Sequence, residues 1–378
     1  MPNMSALIHR DIDSLISRRP YEQRSKERRN QLLEILKLVT TLHAENCLPY
    51  GKFLESQLLR VSDFKTLESM PFLPASIFKD VYLSSINETE KFREVRSSAT
   101  SSDRSSRVVL DKLTNLRWLR SIQTMLIDRL GNKRFSLMLI EEEAALERSD
   151  TVSARSSMSK SMLFLASDVE HFLTQKASTG RASLDLEKVL GHLSNYDEKA
   201  DIIIFGFTYI LYKELLEQLE KEQIQFSLPN LKVIHAGGWK RLEEEKVSNE
   251  EFVAKCSKIF GIPGAGVVDL YGFSEQGGLL YPTCEAGARH TPAWSEIIVR
   301  DPVTLEPVPL GHEGMLQFLT PIQTSYPGHS LLTGDFGSIL GVDECPCGRK
   351  GTTFTVIGRA DTHVEVRGCG EIIASQYS

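Results

Sequence analysis

Six cysteines among 378 residues, two of them separated by a single residue, are too few and too unevenly placed for a disulfide framework in a chain of this size. They predict a reducing, cytoplasmic setting. No apolar run approaches the roughly 20 residues of a membrane-spanning helix, and the first residues lack the apolar stretch of a secretory leader. A basic stripe is missing too: the formal net charge of −6 is spread along the chain, which argues against a nucleic-acid partner. Arg18, Arg19, Arg24, Lys26, Arg28 and Arg29 form a local basic cluster interrupted by Glu22 and Glu27, and it reads as a solvated helix face. No internal repeat is present. What remains is a globular composition, 41% apolar and 25% charged, long enough for one large or two medium domains.

Periodicity divides the chain into three. Residues 1–90 read as a mostly helical region, with Gln31 to Leu36 the clearest helical run and Pro71 to Lys79 loop-like. Residues 91–293 read as an α/β core. Leu110 to Leu130 has helical spacing, and Phe135 to Ile140, Ile202 to Phe205, Leu231 to Ile234 and Val267 to Leu270 are short apolar runs of the kind that form buried strands. Leu211, Leu215, Leu216 and Leu219 mark one helix face. Ser248 with Glu251 reads as a capping box before a helix whose apolar face carries Phe252, Cys256, Ile259 and Phe260. Such alternation predicts a parallel sheet flanked by helices, with ligands at the carboxyl ends of its strands. Residues 294–378 read as a β-rich subdomain, with strands over 296–300, 315–319 and 330–340. Cys47 and Cys256 look like core thiols.

Three blocks near the C-terminal end carry the chemistry: Tyr271-Gly272-Phe273-Ser274-Glu275, Thr333-Gly334-Asp335 and Gly358-Arg359-Ala360-Asp361. In this order they resemble the YGxTE, TGD and GRxD blocks of enzymes that activate a carboxylic acid with ATP as an acyl-adenylate. Attack of a carboxylate on a phosphate needs charge neutralisation and positioning. Glu275 suits a Mg²⁺ held against the phosphates, and Ser274 a hydrogen bond to the α-phosphate. Tyr271 suits a purine face, Asp335 two ribose hydroxyls, and Arg359 a forked contact to ribose or phosphate oxygens. Upstream, the hydroxyls of Ser97, Ser98, Thr100 and Ser101 suit the β- and γ-phosphates. In the families that share these blocks the loop resembles SSGTTG; here Ala99 and Ser102 take the glycine places. Side chains there resist positive φ, which predicts weakened ATP binding or an altered nucleotide mode.

Pro71-Phe72-Leu73-Pro74 with Phe78-Lys79, Phe205-Gly206-Phe207-Thr208, His235-Ala236-Gly237-Gly238-Trp239-Lys240 and Tyr271 through Gln276 narrow the resemblance. From about residue 45 onward the chain resembles the LuxE-type acyl-protein synthetases, subunits of the fatty-acid reductase that supplies aldehyde to bacterial luciferase. That resemblance implies an adenylate-forming N-terminal-domain fold, ATP and Mg²⁺, Gly237 and Gly238 near the nucleotide, a fatty acid as substrate, and an acyl-acceptor or reductase protein as partner. It also implies a C-terminal cysteine that receives the acyl group as a thioester, and Cys369 matches it. Arg367 beside that thiol favours the thiolate, the form that attacks an adenylate.

A second likeness, to phenylacetate–coenzyme A ligases, runs through Cys345-Pro346-Cys347-Gly348-Arg349 and Ile357 to Asp361. Those ligases continue into a mobile lid domain, which this chain is expected to lack. Two other readings remain beside the acyl-protein synthetase: an acyl–coenzyme A ligase, and a weakly active adenylate-binding scaffold. Finally, Cys284, His290, Cys345 and Cys347 supply three thiols and an imidazole, enough for a closed, structural zinc site.

Overall fold

The computed structural model describes residues 4–97, 105–142, 151–175, 182–196, 199–238 and 246–359. Helices α1 (Met4–Ile16), α2 (Ser25–Asn46) and α3 (Leu48–Ser56) open the chain. After them come β1 (Leu73–Pro74), the hairpin strands β2 (Arg93–Arg96) and β3 (Arg107–Leu110), and α4 (Lys112–Leu130). Asp111 starts α4 by accepting the Thr114 N–H at 2.6 Å, an N-cap that satisfies an otherwise orphaned donor.

The central segment alternates β4 (Phe135–Leu139), β5 (Thr151–Ser153), α5 (Ala154–Met162), β6 (Ala166–His171), β7 (Leu173–Gln175), β8 (Ala182–Leu184), α6 (Leu186–Ser194) and β9 (Ile202–Phe207). Next, α7 (Thr208–Ile210) passes through a π-helical turn, Leu211–Leu216, into α8 (Glu217–Lys221). Strand β10 (Lys232–Ala236), helix α9 (Asn249–Phe260) and β11 (Val267–Tyr271) complete the alternation. Strands β4, β6, β9, β10 and β11 form a parallel sheet, and β12 (Tyr281–Pro282) adds antiparallel to β11. Every residue of β4 and β9 is buried, as continuous apolar strands covered on both faces must be. Val189, Leu215, Phe252 and Ile259 cover one face; Ile122, Leu126, Leu130 and Met162 cover the other.

A second sheet holds β13 (Arg289–His290), β14 (Glu296–Arg300), β15 (Glu313–Leu319), β16 (Ser330–Val342) and β17 (Thr352–Arg359), all antiparallel. Helices α1–α3 pack on it: Leu32 and Leu36 share a cluster with Ile298 and Leu319. The fold is therefore the expected parallel α/β sheet with a β-rich partner. No described helix is long and apolar enough to cross a membrane.

Three local expectations are corrected. Arg28 does not belong to a solvated face: it is 1% exposed and its guanidinium reaches Glu296 at 2.7 Å and the Ser295 carbonyl at 2.7 Å. Arg29 bridges Glu68 and Glu296. The loop-like Pro71–Lys79 stretch contains β1, paired parallel with β16 at Leu73–Leu331 and Pro74–Leu332, and a 3-10 turn over Ala75–Lys79. The capping box is half formed. Ser248 caps the Glu251 N–H at 3.1 Å, but the Glu251 carboxylate accepts from the Tyr212 hydroxyl instead.

Candidate active site

Strand β11 ends at Tyr271, and the loop beyond it turns through a 3-10 helix, Ser274–Gln276. Asp335 lies in β16 and Arg359 at the end of β17, directly opposite one another in the antiparallel register. The fold joins these blocks. The Tyr271 hydroxyl donates to Asp335 Oδ2 at 2.6 Å across 64 residues of sequence, and Arg359 Nε donates to Asp335 Oδ1 at 3.3 Å. Thr333 precedes Asp335 in the same strand, its hydroxyl accepting the Asp335 N–H at 3.2 Å. Burial, then the nearby Asp335 carboxylate, push the Tyr271 phenol far above its usual pKa, so it stays a donor. Its ring stacks on Phe318 with centroids 5.6 Å apart. The Arg359 side chain is 78% exposed; its pair with Asp335 is therefore a weak surface contact, and the guanidinium is free to turn to a ligand.

Glu275 is buried, and burial raises its carboxyl pKa against the pull of the Ser106 hydroxyl, Arg359 and Lys79. Tyr326 anchors its backbone, donating to the Glu275 carbonyl at 2.7 Å. Among the described residues Glu275 makes no ion pair. Gly272 and Ser274 lie between Tyr271 and Glu275 on the same loop.

At the end of β10, Gly237 takes a left-handed φ of +76°, a conformation that favours glycine, and Gly238 follows it. The Thr208 hydroxyl donates to the Gly237 carbonyl at 2.7 Å and lies 2.9 Å from His235 Nδ1. In the sequence Thr208, His235 and Lys79 stand only inside short motifs that give them no role. Asp269, opposite His235 in register, was read only as part of a strand.

Ser97 stands at the base of the β2–β3 hairpin, its hydroxyl accepting the Ser106 N–H at 2.9 Å. Ser98, Thr100 and Ser101, with Ala99 and Ser102, lie outside the described residues, as do Trp239, Lys240, Ala360, Asp361 and Cys369. The apolar runs Leu137–Ile140 and Ile202–Phe207 sit in the middle of the parallel sheet, sealed between its two helix layers.

The four candidate metal ligands meet. Cys284, His290, Cys345 and Cys347 place their donor atoms within 4.8 Å of one another, although Cys284 and Cys345 are 61 residues apart and His290 and Cys347 57. Cys284 Sγ lies 3.8 Å from Cys345 Sγ, and Cys347 Sγ 3.3 Å from His290 Nε2. Burial lowers the His290 pKa to about 4, so its ring is neutral. Burial pushes the Cys347 thiol up, but the Arg349 N–H, the Cys345 thiol and the Arg349 guanidinium outweigh it and hold the thiol below its usual value. Cys47 and Cys256 are buried free thiols in the core.

The structure resembles 2-hydroxyisobutyryl-CoA ligase, solved in an open conformation with 2-HIB-AMP and CoA. The TM-score is 0.68 at 17% identity, over 91% of this chain and 72% of that one, a likeness of fold. In sequence the chain is 23% identical over 373 residues to a long-chain-fatty-acid–luciferin-component ligase of Aliivibrio fischeri, covering 97% of this chain and 94% of that protein. It is 25% identical over 378 residues to the protein of the same name from Vibrio harveyi, with the same coverage. The family model described as "Acyl-protein synthetase, LuxE" matches residues 3–378, and with Tyr271, Asp335 and Arg359 joined in one place the chain belongs to the LuxE acyl-protein synthetase family.

Proposed function

We propose that this chain activates a carboxylic acid of the fatty class with ATP and then carries the acyl group on its own Cys369. In the first step a substrate carboxylate oxygen attacks the α-phosphorus; the bond to the bridging oxygen breaks and pyrophosphate leaves. In the second, the Cys369 thiolate attacks the acyl carbon, the carbon–oxygen bond to phosphate breaks, and AMP leaves. Asp335, held by Tyr271, accepts from the ribose hydroxyls. The Tyr271 ring and the Gly237–Gly238 turn take the base, and Gly272 lets the Ser274 loop close on the α-phosphate. Arg359 swings from Asp335 to ribose or phosphate oxygens. Ser97, Ser98, Thr100 and Ser101 hold the pyrophosphate portion.

Glu275 suits Mg²⁺, because a buried carboxyl without an ion partner is restored to its charged form by a cation. Bound there, Mg²⁺ neutralises phosphate charge. A reductase subunit in the reducing cytoplasm is the fitting acceptor of the acyl group.

The four-ligand cluster fits structural zinc. Two sulfurs each about 2.3 Å from a tetrahedral metal stand about 3.8 Å apart, the separation found between Cys284 and Cys345. With four protein ligands the site is closed, so its role is to fasten the segment after Glu275 to the β16–β17 turn. Freshly purified protein should hold about one zinc per chain, and less than about half an equivalent removes this reading.

The observation that carries the adenylation reading is the Tyr271–Asp335–Arg359 junction, built from three separate blocks. Its test is intact-protein mass after incubation with ATP, Mg²⁺ and a panel of carboxylic acids, with Cys369→Ser alongside. A gain of one acyl group, released by hydroxylamine and lost in the variant, is expected. Constant mass with pyrophosphate release moves the acceptor to an external thiol such as coenzyme A. Neither product with any acid leaves a scaffold that binds adenylate without turning it over.

A further inference from the structure

Asp269 is held at three points by residues that each adjoin a cluster ligand. Thr283 precedes Cys284; its hydroxyl accepts the Asp269 N–H at 3.0 Å and its own N–H donates to the Asp269 carbonyl at 2.9 Å. Arg289 precedes His290, and its guanidinium is ion-paired with Asp269 Oδ2. Whatever fixes Cys284 and His290 therefore fixes Asp269.

The chain of contacts continues inward. His235 faces Asp269 across the β10–β11 register, with Nδ1 3.9 Å from Asp269 Oδ1. The same Nδ1 lies 2.9 Å from the Thr208 hydroxyl, which donates to the Gly237 carbonyl at 2.7 Å. Among the described residues His235 Nε2 is buried with no partner, and the His235 and Phe252 ring centroids lie 4.4 Å apart. A proton there would be an unsatisfied buried donor, so the ring keeps its proton on Nδ1, between carboxylate and hydroxyl. That tautomer makes Thr208 an acceptor toward His235 and commits its own proton to Gly237.

We propose that Arg289, Asp269, His235 and Thr208 form a positioning relay that couples metal occupancy of the cysteine–histidine cluster to nucleotide binding at the Gly237 turn. The relay rests on the zinc and adenylate readings given above. Zinc bound at Cys284 and His290 would hold Asp269 in place, the Asp269 carboxylate 3.9 Å from Nδ1 would hold the His235 ring against Thr208, and Thr208 would hold the Gly237 carbonyl. Coupling of this kind is reciprocal: nucleotide must hold the metal as firmly as the metal favours nucleotide.

The experiment measures zinc release from the full chain to a colorimetric chelator, with and without AMP, in wild type, Thr208→Val, Thr208→Ser and Asp269→Asn. AMP affinity of zinc-loaded and zinc-stripped protein is measured in parallel. AMP should slow zinc release in wild type, and stripping should weaken AMP binding about 5-fold or more. Thr208→Val should leave zinc content intact but bring both ratios to about 1, and Thr208→Ser should restore them. Asp269→Asn should also uncouple the sites, and serves should the valine variant fail to fold. Equal release rates with and without AMP in a wild-type protein that binds both ligands overturn the relay alone, as does full slowing in Thr208→Val. Absence of zinc from the purified protein overturns it through the metal reading. Absence of AMP binding to the zinc-loaded protein overturns it through the adenylate reading.

Discussion

The Tyr271 hydroxyl and Asp335 Oδ2 are 2.6 Å apart, a contact between the parallel sheet and the antiparallel one that leaves the carboxylate pointed at the end of β11. Substituting Asp335→Asn keeps an acceptor for Tyr271 and removes the charge. A hydrogen bond to a charged group contributes about 1.5–3 kcal/mol, so kcat/KM for ATP–pyrophosphate exchange should fall roughly 10- to 100-fold. Tyr271→Phe, which only frees the carboxylate, should cost less than about tenfold. Exchange at the wild-type rate in Asp335→Asn would remove Asp335 from nucleotide binding.

Behind Glu275 the chain passes Trp118 without room for a side chain. A Cβ on Gly278 would sit 2.5 Å from Trp118 Cδ1, and one on Gly277 2.6 Å from its Cζ3. Gly278→Ala should destabilise the protein by about 1–3 kcal/mol through overpacking. Trp118→Leu in the same chain should recover part of that loss. Urea unfolding of the two single variants and the double closes the cycle; strictly additive losses would show that the loop relaxes away from the indole.

How much of this was legible beforehand follows from where each signal resides. Strands β9, β10 and β11 announce themselves because a buried parallel strand is a short apolar run. The blocks at Tyr271, Asp335 and Arg359 are local motifs, visible without knowing that they touch. Arg28 misled because its partner Glu296 is 268 residues away, so a buried ion looks like any residue of a charge run. β1 is two residues long, too short for any periodicity. Glu251 follows Ser248 at capping-box spacing, yet Tyr212 from another helix takes its carboxylate. The cluster ligands were countable as donors, but only the fold brings them within one coordination sphere. Thr208, His235 and Asp269 sit on three consecutive strands of the sheet or at its edge, and their contact is a product of register alone.

Arg28 and Glu296, at 1% and 0% side-chain exposure, join α2 to β14 deep in the β-rich half. Removing one partner of a buried pair leaves an uncompensated charge, so Arg28→Met or Glu296→Gln should each cost about 3–5 kcal/mol. The double replacement Arg28→Met with Glu296→Leu should cost distinctly less than the sum of the two single losses. Denaturant unfolding of the three proteins decides it, and a single variant with wild-type stability would mean that the pair is dispensable.

His43 and His329 stack at 5.0 Å between ring centroids, both wholly buried. Burial lowers the His43 pKa to about 3, and burial followed by the neighbouring His43 drives His329 well below 6.5. The unfolded chain takes up protons on both rings near pH 6.5, whereas the folded one refuses them. Their contribution is therefore intact above pH 6.5 and is lost as pH falls below it, at up to about 1.4 kcal/mol per pH unit for each ring. Urea midpoints measured from pH 8 to pH 5 should be flat above pH 7 and drop steeply below pH 6.5. A variant carrying His43→Gln and His329→Gln loses neutral-pH stability, because Gln323, Ser85, Thr40 and Tyr50 are deprived of ring partners. Its midpoint should nevertheless fall less steeply between pH 6.5 and pH 5, since positions 43 and 329 no longer take up protons on unfolding. Parallel slopes for the variant and the wild type would assign the acid sensitivity to other groups, with His235, also held below its usual value by burial, the next to replace.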